Sequence, residues 1–300
     1  MGLTERDQPL LEYLARYYLL APGHIHQLCY SDAISRVARR RCQELCREGF
    51  IHRHPKQDVT GRRPVYYLAD RGAEWLAHRH DDDRYLAKPV KLLCRGDHID
   101  HALAVGQFLH ALYGAVSRQS VCRLAECYHE YEPVNPTAPE KAWKRMRTEF
   151  PDIPKLVCMP DAGFLLERGE HRAAYYLEWE TGTTGFKNAA RRKWKGYAEL
   201  AAHSVHVEHF PATTWERFFV LVVCPDAQWR DRFIRHLAAA LPDGLKSEAN
   251  YWRTIAAEDV IPERLLFQPV VRKLGEPQLV PLLSAKTSVG SGEMSEARFA

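Results

Sequence analysis

The stretch PDAGFLLERGEHRAAYYLEWE, residues 160–180, decides the fold of the larger part of this chain. Phe164-Leu165-Leu166 and residues 173–180 both have the composition of strands, and the glycine between them supplies a turn, so the stretch predicts a β-hairpin. The second strand is apolar until it delivers Glu178 and Glu180. Because residues i and i+2 of a strand share one face, these two carboxylates are predicted to project together.

The segments around this hairpin predict further strands and helices of the same domain. Asp161 follows Pro160 at its start, and a basic helix is predicted after it, from Lys187 to Leu200. Residues 218–224 form a continuous apolar run, which is typical of a strand buried on both faces, and the amphipathic stretch from Gln228 to Leu241 predicts a helix. This order of elements predicts an α+β or α/β domain. A plain hairpin with a solvated acidic face stays open as an alternative.

The first 80 residues predict a compact helical unit with a small hairpin. Thr4 and Asp7 have the spacing of a capping box, and Ser31 or Asp32 is expected to cap a third helix that ends at Gly49. Helices are predicted over Glu5–Tyr18, over His24–Cys29, from the cap at Ser31 or Asp32 to Gly49, and over Asp70–His80. Strands are predicted over Phe50–His54 and Val65–Leu68. Three helices followed by a hairpin is the winged helix-turn-helix arrangement.

Basic residues are concentrated between Arg36 and Arg63, where nine stand against three acidic residues. Such an excess is typical of a surface that binds a polyanion. We expect Arg36, Arg39 and Arg40 on the third helix to contact DNA, and Arg62 and Arg63 at the hairpin tip to reach a phosphate or the minor groove. The alternative is a winged helix used for protein contacts, with these arginines on an ordinary solvated face.

A second basic region lies within the predicted αβ domain. The proline-rich segment from Pro133 to Pro154 carries Lys144 and Arg145, and is interpreted as a long loop or short helix that covers another part of the chain. Lys144, Arg145 and Lys187 complete the predicted DNA-contacting set.

Length and composition limit the class of protein and the number of domains. The chain has 300 residues, 46% hydrophobic and 27% charged, which is ordinary for a globular protein of about two domains. The longest apolar run has seven residues, so no membrane helix is expected. The start of the chain lacks signal-peptide character, which predicts a cytoplasmic protein. The net charge of +4 is too small to be diagnostic.

Three segments are predicted from these changes in composition. Residues 1–85 form the winged-helix domain, residues 86–275 the αβ domain, and residues 276–300 a tail that is expected to be disordered at its end.

Pro160-Asp161, sixteen intervening residues and then Glu178-x-Glu180 resemble the core of the PD-(D/E)xK nucleases, which have a restriction-endonuclease-like fold. The resemblance implies that Asp161, Glu178 and Glu180 bind one or two Mg²⁺ or Mn²⁺ ions. It also implies that these residues are catalytic together with a lysine. The lysine of the motif is replaced here by Glu180, and Lys193 on the following helix is the candidate to return the positive charge, ahead of Lys187 and Lys195.

A wider set of motifs carries a second resemblance. Leu3-Thr4-Glu5-Arg6-Asp7 is followed by Gly61-Arg62-Arg63-Pro64, by Pro160-Asp161-Ala162, by Tyr176-Leu177-Glu178-x-Glu180-x-Gly182-Thr183 and by Lys193-x-x-x-Tyr197. In this order and spacing, over about residues 3–275, the chain is similar to the replication-relaxation proteins of plasmids and integrative elements and to MobC-type mobilisation relaxases.

These resemblances imply a metal-dependent DNA endonuclease that nicks one strand at the origin of a plasmid or integrative element for transfer or replication. The implied partners are origin DNA and other relaxosome or coupling proteins; nothing in the sequence fixes an interface for a homodimer. Two alternatives stay open, a non-catalytic DNA-binding accessory protein or transcriptional regulator with a degenerate nuclease fold, and a defence nuclease. Tyr197 has the spacing of a residue that points into the core, which is preferred over a covalent nucleophile.

Overall fold

The computed structural model describes residues 2–54, 64–86, 99–130, 132, 144–182, 185–241 and 251–284, except for the side chains of Phe186, Lys187, Arg191 and Arg192. The chain divides into two compact units. The first contains residues 1–109 and 133–144, and the second contains residues 110–132 and 145–300. None of the described helices is both long enough and apolar enough to cross a membrane.

The first unit is mostly helical. Its elements are α1 (Asp7–Tyr17), α2 (Pro22–Cys29), α3 (Ser35–Arg47), β1 (Ile51–Arg53), β2 (Tyr66–Leu68), α4 (Asp70–His80) and a 3-10 turn at Asp83–Leu86. β1 and β2 pair antiparallel, with Ile51 opposite Leu68, and a single bridge pairs Leu20 with Tyr66. The order predicted from the sequence, three helices followed by a hairpin and a fourth helix, is therefore present.

The core of this unit follows from helical spacing. Leu10, Leu11 and Leu14 of α1 are fully buried, as are Leu45 of α3 and Leu76 of α4. Apolar residues three or four positions apart share one face of a helix, so each helix buries one stripe and leaves its other side to solvent.

The helix starts agree with the sequence only in part. The backbone N–H and the hydroxyl of Thr4 both donate to Asp7 Oδ2, at 2.5 and 2.7 Å, so the predicted Thr4–Asp7 contact is present. It is not a capping box, because Arg6 is the N-cap of α1 and makes no side-chain cap hydrogen bond. The predicted cap of α3 is wrong: Ile34 occupies the N-cap position without a side-chain hydrogen bond. Asp32 instead forms an ion pair with Arg6 at 2.7 Å.

The second unit is built on a mixed sheet. Its elements are the later part of α5 (Ile99–Ser117), β3 (Arg123–His129), β4 (Thr148–Glu149), β5 (Val157–Cys158), β6 (Ala162–Arg168), β7 (His171–Trp179), α6 (Phe186–Ala202), α7 (His206–His209), β8 (Phe218–Cys224), α8 (Ala227–Ala240), β9 (Trp252–Ala256), a 3-10 turn at Ala257–Asp259, β10 (Val271–Lys273) and β11 (Leu279–Val280).

Seven described strands lie in the order β11-β10-β9-β8-β7-β6-β3. The pairs β3–β6 and β6–β7 are antiparallel, whereas β7, β8 and β9 are parallel. The helices α6 and α8 connect the parallel strands and pack against each other. A parallel pair needs such a crossover because its strands run in the same direction.

The sheet centre is the most buried part of this unit. Every residue of β8 is buried, which confirms the prediction for the apolar run at 218–224. Asp226 caps α8, since its Oδ1 accepts a hydrogen bond from the Trp229 N–H at 2.7 Å. β11 extends the sheet into the predicted tail, and residues 285–300, where disorder was predicted, lie outside the described residues.

Candidate functional site

The two glutamates stand where β7 ends. Glu178 is the penultimate residue of β7 and pairs with Val222 of the parallel strand β8. Glu180 follows the strand, and its N–H donates to the Val223 carbonyl at 2.9 Å, so the chain continues along β8 for one more pleat. Both side chains point to the same face, as predicted, and both are buried, with 5% of Glu178 and 7% of Glu180 exposed.

Asp161 is fixed beside the same strand end by two backbone contacts. Its N–H donates to the Leu177 carbonyl at 3.0 Å, and its Oδ2 accepts a hydrogen bond from the Trp179 N–H at 2.6 Å. Because Leu177 and Trp179 are the two neighbours of Glu178, these contacts bring Asp161 next to that glutamate. Antiparallel pairing of β6 with β7 delivers it there, since Ala162 lies opposite Leu177.

Lys193 brings a positive charge to the glutamates. Its Nζ lies 3.1 Å from Glu180 Oε1 and also donates to Glu178 Oε2. The side chain projects from α6, the helix that follows β7, and only 22% of it is exposed. Lys195, two residues later on the same helix, is exposed instead. The predicted return of the charge by Lys193 therefore has a structural basis in these ion pairs.

Tyr197 completes the hydrogen bonds of Glu178. Its hydroxyl donates to Glu178 Oε1 at 2.6 Å, and its ring packs edge-on against Trp252. Only 1% of the residue is exposed, in keeping with the predicted core position. The sequence reasoning missed the bond to Glu178, although the signal was present: Tyr197 follows Lys193 by four residues, which places both on one face of α6.

Burial and charge act in opposite directions on these groups. Burial raises the pKa of Glu178, Lys193 lowers it, and Asp161 raises it again, with a net upward shift. Burial alone would lower the pKa of Lys193, but the carboxylates of Glu178, Asp161 and Glu180 outweigh it and raise the pKa above its ordinary value. Burial raises the pKa of Tyr197 well above 10, which disfavours the phenolate form. Lys193 therefore stays protonated at neutral pH.

The donor set of this cluster suits a hard divalent cation. Carboxylate oxygens are the ligands that Mg²⁺ and Mn²⁺ prefer, and each oxygen keeps a second lone pair after it accepts one hydrogen bond. We call Asp161, Glu178, Glu180 and Lys193 the acidic cluster. It combines oxygen donors with one ammonium group, and two of its carboxylates, Glu178 and Glu180, are buried, where electrostatic interactions are stronger than in water.

A basic face lies on α3 in the first unit. Arg36, Arg39 and Arg40 are exposed, whereas Ala38 and Leu45 on the other side of the helix are buried. Arg40 makes a long ion pair with Glu44, at 3.6 Å, in which the arginine side chain stays 75% exposed. The three arginines that the sequence assigned to DNA contacts are therefore available to a ligand.

Arg41 differs from its neighbours although it belongs to the same basic run. Its guanidinium donates to Asp7 Oδ1 and Oδ2 at 2.9 and 2.7 Å and to Glu44 Oε2 at 2.9 Å, and it is buried. This arginine joins α3 to α1. Its charge is neutralised internally, so the excess of basic residues at the surface is smaller than the sequence count indicates.

The other predicted contacts are distributed differently. Arg62 and Arg63 and the side chain of Lys187 lie outside the described residues. Lys144 is half-buried. Arg145 stacks its guanidinium over the ring of Tyr128, at 4.1 Å from the ring centre, so much of its side chain is committed to packing in the second unit.

Comparison with known proteins identifies the family. No curated protein and no solved structure matches the chain. The family model described as replication-relaxation matches residues 11–213, which is more than half of the chain. This range includes the basic face of α3 and all four residues of the acidic cluster. The chain therefore belongs to the replication-relaxation family.

Proposed function

We propose that this protein is a metal-dependent DNA endonuclease that nicks one strand at the origin of a plasmid or integrative element. Family membership indicates a role in replication or mobilisation. The observation that carries the proposal is the convergence of Glu178, Glu180 and Lys193 at one end of β7, with Asp161 bound to the backbone of the same strand.

The order of elements around the acidic cluster supports a nuclease-like core. A helix, α5, precedes the three antiparallel strands β3, β6 and β7, and α6 then leads to β8, which runs parallel to β7. In the PD-(D/E)xK nucleases, which this chain resembles, a hairpin likewise holds the carboxylates. Here β6 and β7 form that hairpin, with Asp161 immediately before its first strand and Glu178 near the end of its second.

The chemistry of the cluster fits phosphodiester hydrolysis. Asp161, Glu178 and Glu180 would hold Mg²⁺ or Mn²⁺, which when bound supplies a Lewis acid for the scissile phosphate and an activated water. Lys193 remains protonated, so its ammonium group stabilises the negative charge that builds on the phosphate oxygens as the water attacks. Tyr197 orients Glu178 through its hydroxyl and is not the proposed nucleophile, because the residue is only 1% exposed and packs in the core.

The first unit supplies a targeting domain in this proposal. Its order of elements, with the Leu20–Tyr66 bridge beside the β1–β2 hairpin, supports a winged helix. In such domains the third helix enters the major groove. That helix here is α3, whose exposed arginines are suited to phosphate oxygens and to guanine edges.

Plasmid relaxation tests the proposal directly. Supercoiled plasmid carrying the flanking DNA of the element is incubated with the full chain, with and without Mg²⁺ or Mn²⁺. Wild type with metal is expected to produce open-circular DNA, and Glu178→Ala is expected to produce none. Glu170→Ala is the matched control, because Glu170 is exposed in the turn at the opposite end of the same hairpin. Nicking by Glu178→Ala at the wild-type rate would contradict the proposal.

A second candidate function is a DNA-binding accessory protein or regulator. The specific observation in its favour is that both oxygens of Glu178 already accept hydrogen bonds, from Lys193 and Tyr197, so the carboxylate has a structural role without any metal. This candidate predicts gel-shift binding of the flanking DNA with no strand scission in any divalent metal.

A further inference from the structure

A groove of about 740 Å³ lies beside α3 in the first unit. One wall is formed by Arg39, Gln43 and Arg47 of α3, another by Arg53 of β1, and the start of α2 at Pro22 and Gly23 closes one side. We call this the basic groove. Arg36 and Arg40 do not line it, although they belong to the same exposed side of the helix.

The spacing on α3 makes the groove a continuous strip. Arg39, Gln43 and Arg47 are four residues apart, so they follow one another along a single edge of the helix over about 12 Å. Arg53 faces the groove from the strand that follows α3. Two elements that are adjacent in sequence therefore hold three guanidinium groups around one concave surface.

The charge of the groove is unbalanced within the described part of the chain. Arg39, Arg47 and Arg53 are exposed, and none of them makes an ion pair with a described carboxylate. Glu44, which lies between Arg39 and Arg47 in sequence, pairs with Arg40 and Arg41 instead. Planar guanidinium groups bind phosphate oxygens in a bidentate manner.

We infer that the basic groove holds the sugar-phosphate backbone of one DNA strand, with Arg39, Arg47 and Arg53 on its phosphates. The groove is too long for a single phosphate group, and it adjoins the exposed face of α3 that carries Arg36 and Arg40. Those two arginines are then left for base edges. Contacts to phosphates fix the position of a protein on DNA, and contacts to bases give the sequence preference. This inference rests on the proposed function of the first unit.

Salt dependence distinguishes the two kinds of contact. Binding of the full chain to two duplexes is measured by fluorescence anisotropy at several salt concentrations. One duplex has the sequence that flanks the gene of this protein, and the other has an unrelated sequence. Each lost phosphate contact lowers the magnitude of the negative slope of log K against log salt by about 0.9. The double variant Arg47→Gln/Arg53→Gln is expected to lower that magnitude by about 1.8 on both duplexes, with an unchanged ratio of the two affinities.

Three further variants act as controls. Arg79→Gln removes one positive charge from an exposed position of α4 outside the groove and is expected to leave the slope unchanged. Gln43→Ala changes the groove without removing charge and is expected to leave the slope unchanged even if affinity falls. Arg40→Gln is expected to reduce the affinity ratio between the two duplexes. Thermal unfolding of each variant checks that the exposed substitutions leave the fold intact.

Two outcomes would overturn the inference while leaving the proposed function in place. One is an unchanged slope in the double variant; the other is an equal fall in slope for Arg79→Gln, which would show a general effect of net charge. Absence of salt-dependent binding by the wild type would instead contradict the proposed function itself. Duplexes with single neutral methylphosphonates give an independent check: the positions contacted by Arg47 and Arg53 are expected to weaken wild-type binding and to have no effect on the double variant, whereas the position contacted by Arg39 is expected to weaken binding by both proteins.

Discussion

Lys193 Nζ lies 3.1 Å from Oε1 of Glu180, the residue that stands where the resembled nuclease motif has lysine. The cation that strand β7 lacks is thus supplied by the helix that follows it. In the proposed nuclease, a charge at this location would act on the scissile phosphate, because what matters for electrostatic stabilisation is the position of the charge and not the element that carries it. The same lysine also gives both buried glutamates a counter-charge within the protein itself.

Replacement of Lys193 by methionine is expected to destabilise the protein by about 3–5 kcal/mol, because it leaves the buried glutamates without their counter-charge. Millimolar Mg²⁺ should recover part of this loss in the variant, since an ion that binds only the folded state raises its stability. Thermal unfolding with and without Mg²⁺ measures both effects. Lys195→Met, on the exposed part of the same helix, is the control and should change neither; an equal effect there would contradict the role given to Lys193.

Replacement of Tyr197 by phenylalanine tests whether the hydroxyl positions Glu178 or attacks DNA. A hydrogen bond to a charged group contributes about 1.5–3 kcal/mol, so a loss of stability in this range is expected, together with slower but measurable nicking. Denaturing gels should reveal no covalent protein–DNA product with either protein. Tyr176→Phe, which removes a buried hydroxyl bonded to His209 Nδ1, is the matched control for stability. Complete loss of nicking in Tyr197→Phe together with a wild-type covalent product would favour the nucleophile.

The stability of the second unit is expected to fall with acidification through His209. Burial, with a further contribution from Arg145, lowers the pKa of this histidine from 6.5 to about 4. Its neutral ring accepts or donates hydrogen bonds with Tyr176 and Thr148. The unfolded chain takes up the proton first, so the stabilisation is complete above about pH 6.5 and is lost as the pH falls towards 4.

The size of this effect is at most about 3.5 kcal/mol, at about 1.4 kcal/mol for each pKa unit. Melting temperatures between pH 7 and pH 4.5 measure it. His209→Asn should have a flatter pH dependence than the wild type, whereas His203→Asn, at an exposed position, should follow the wild-type curve. A wild-type slope in His209→Asn would show that other groups cause the acid sensitivity.

Adjacent arginines of α3 are expected to have separate roles. Arg41→Met should lower the free energy of unfolding by about 3–5 kcal/mol, because it leaves the buried Asp7 carboxylate without its partner. Arg39→Gln should instead weaken DNA binding and leave thermal unfolding unchanged. Binding and unfolding are measured on both variants. If Arg41→Met weakened DNA binding while its stability stayed at the wild-type level, the structural role of Arg41 would be wrong.

The sequence by itself determined the local features of this protein. Helical spacing predicted α4 at Asp70–His80 correctly, and strand alternation placed Glu178 and Glu180 on one face. These features depend on residues at most a few positions apart, whose geometry is the same in any fold.

Only the tertiary structure decided which members of each charged run act together. Arg41 is buried and Arg40 exposed because Asp7, 34 residues away from Arg41, lies against one side of α3. Lys193 reaches the glutamates and Lys195 does not, since packing of α6 on the sheet selects one face of that helix. A sequence pattern indicates which residues share a face of a helix or strand. Contacts between distant segments decide which face is buried and which opposite charges meet, because burial makes an unpaired charge costly.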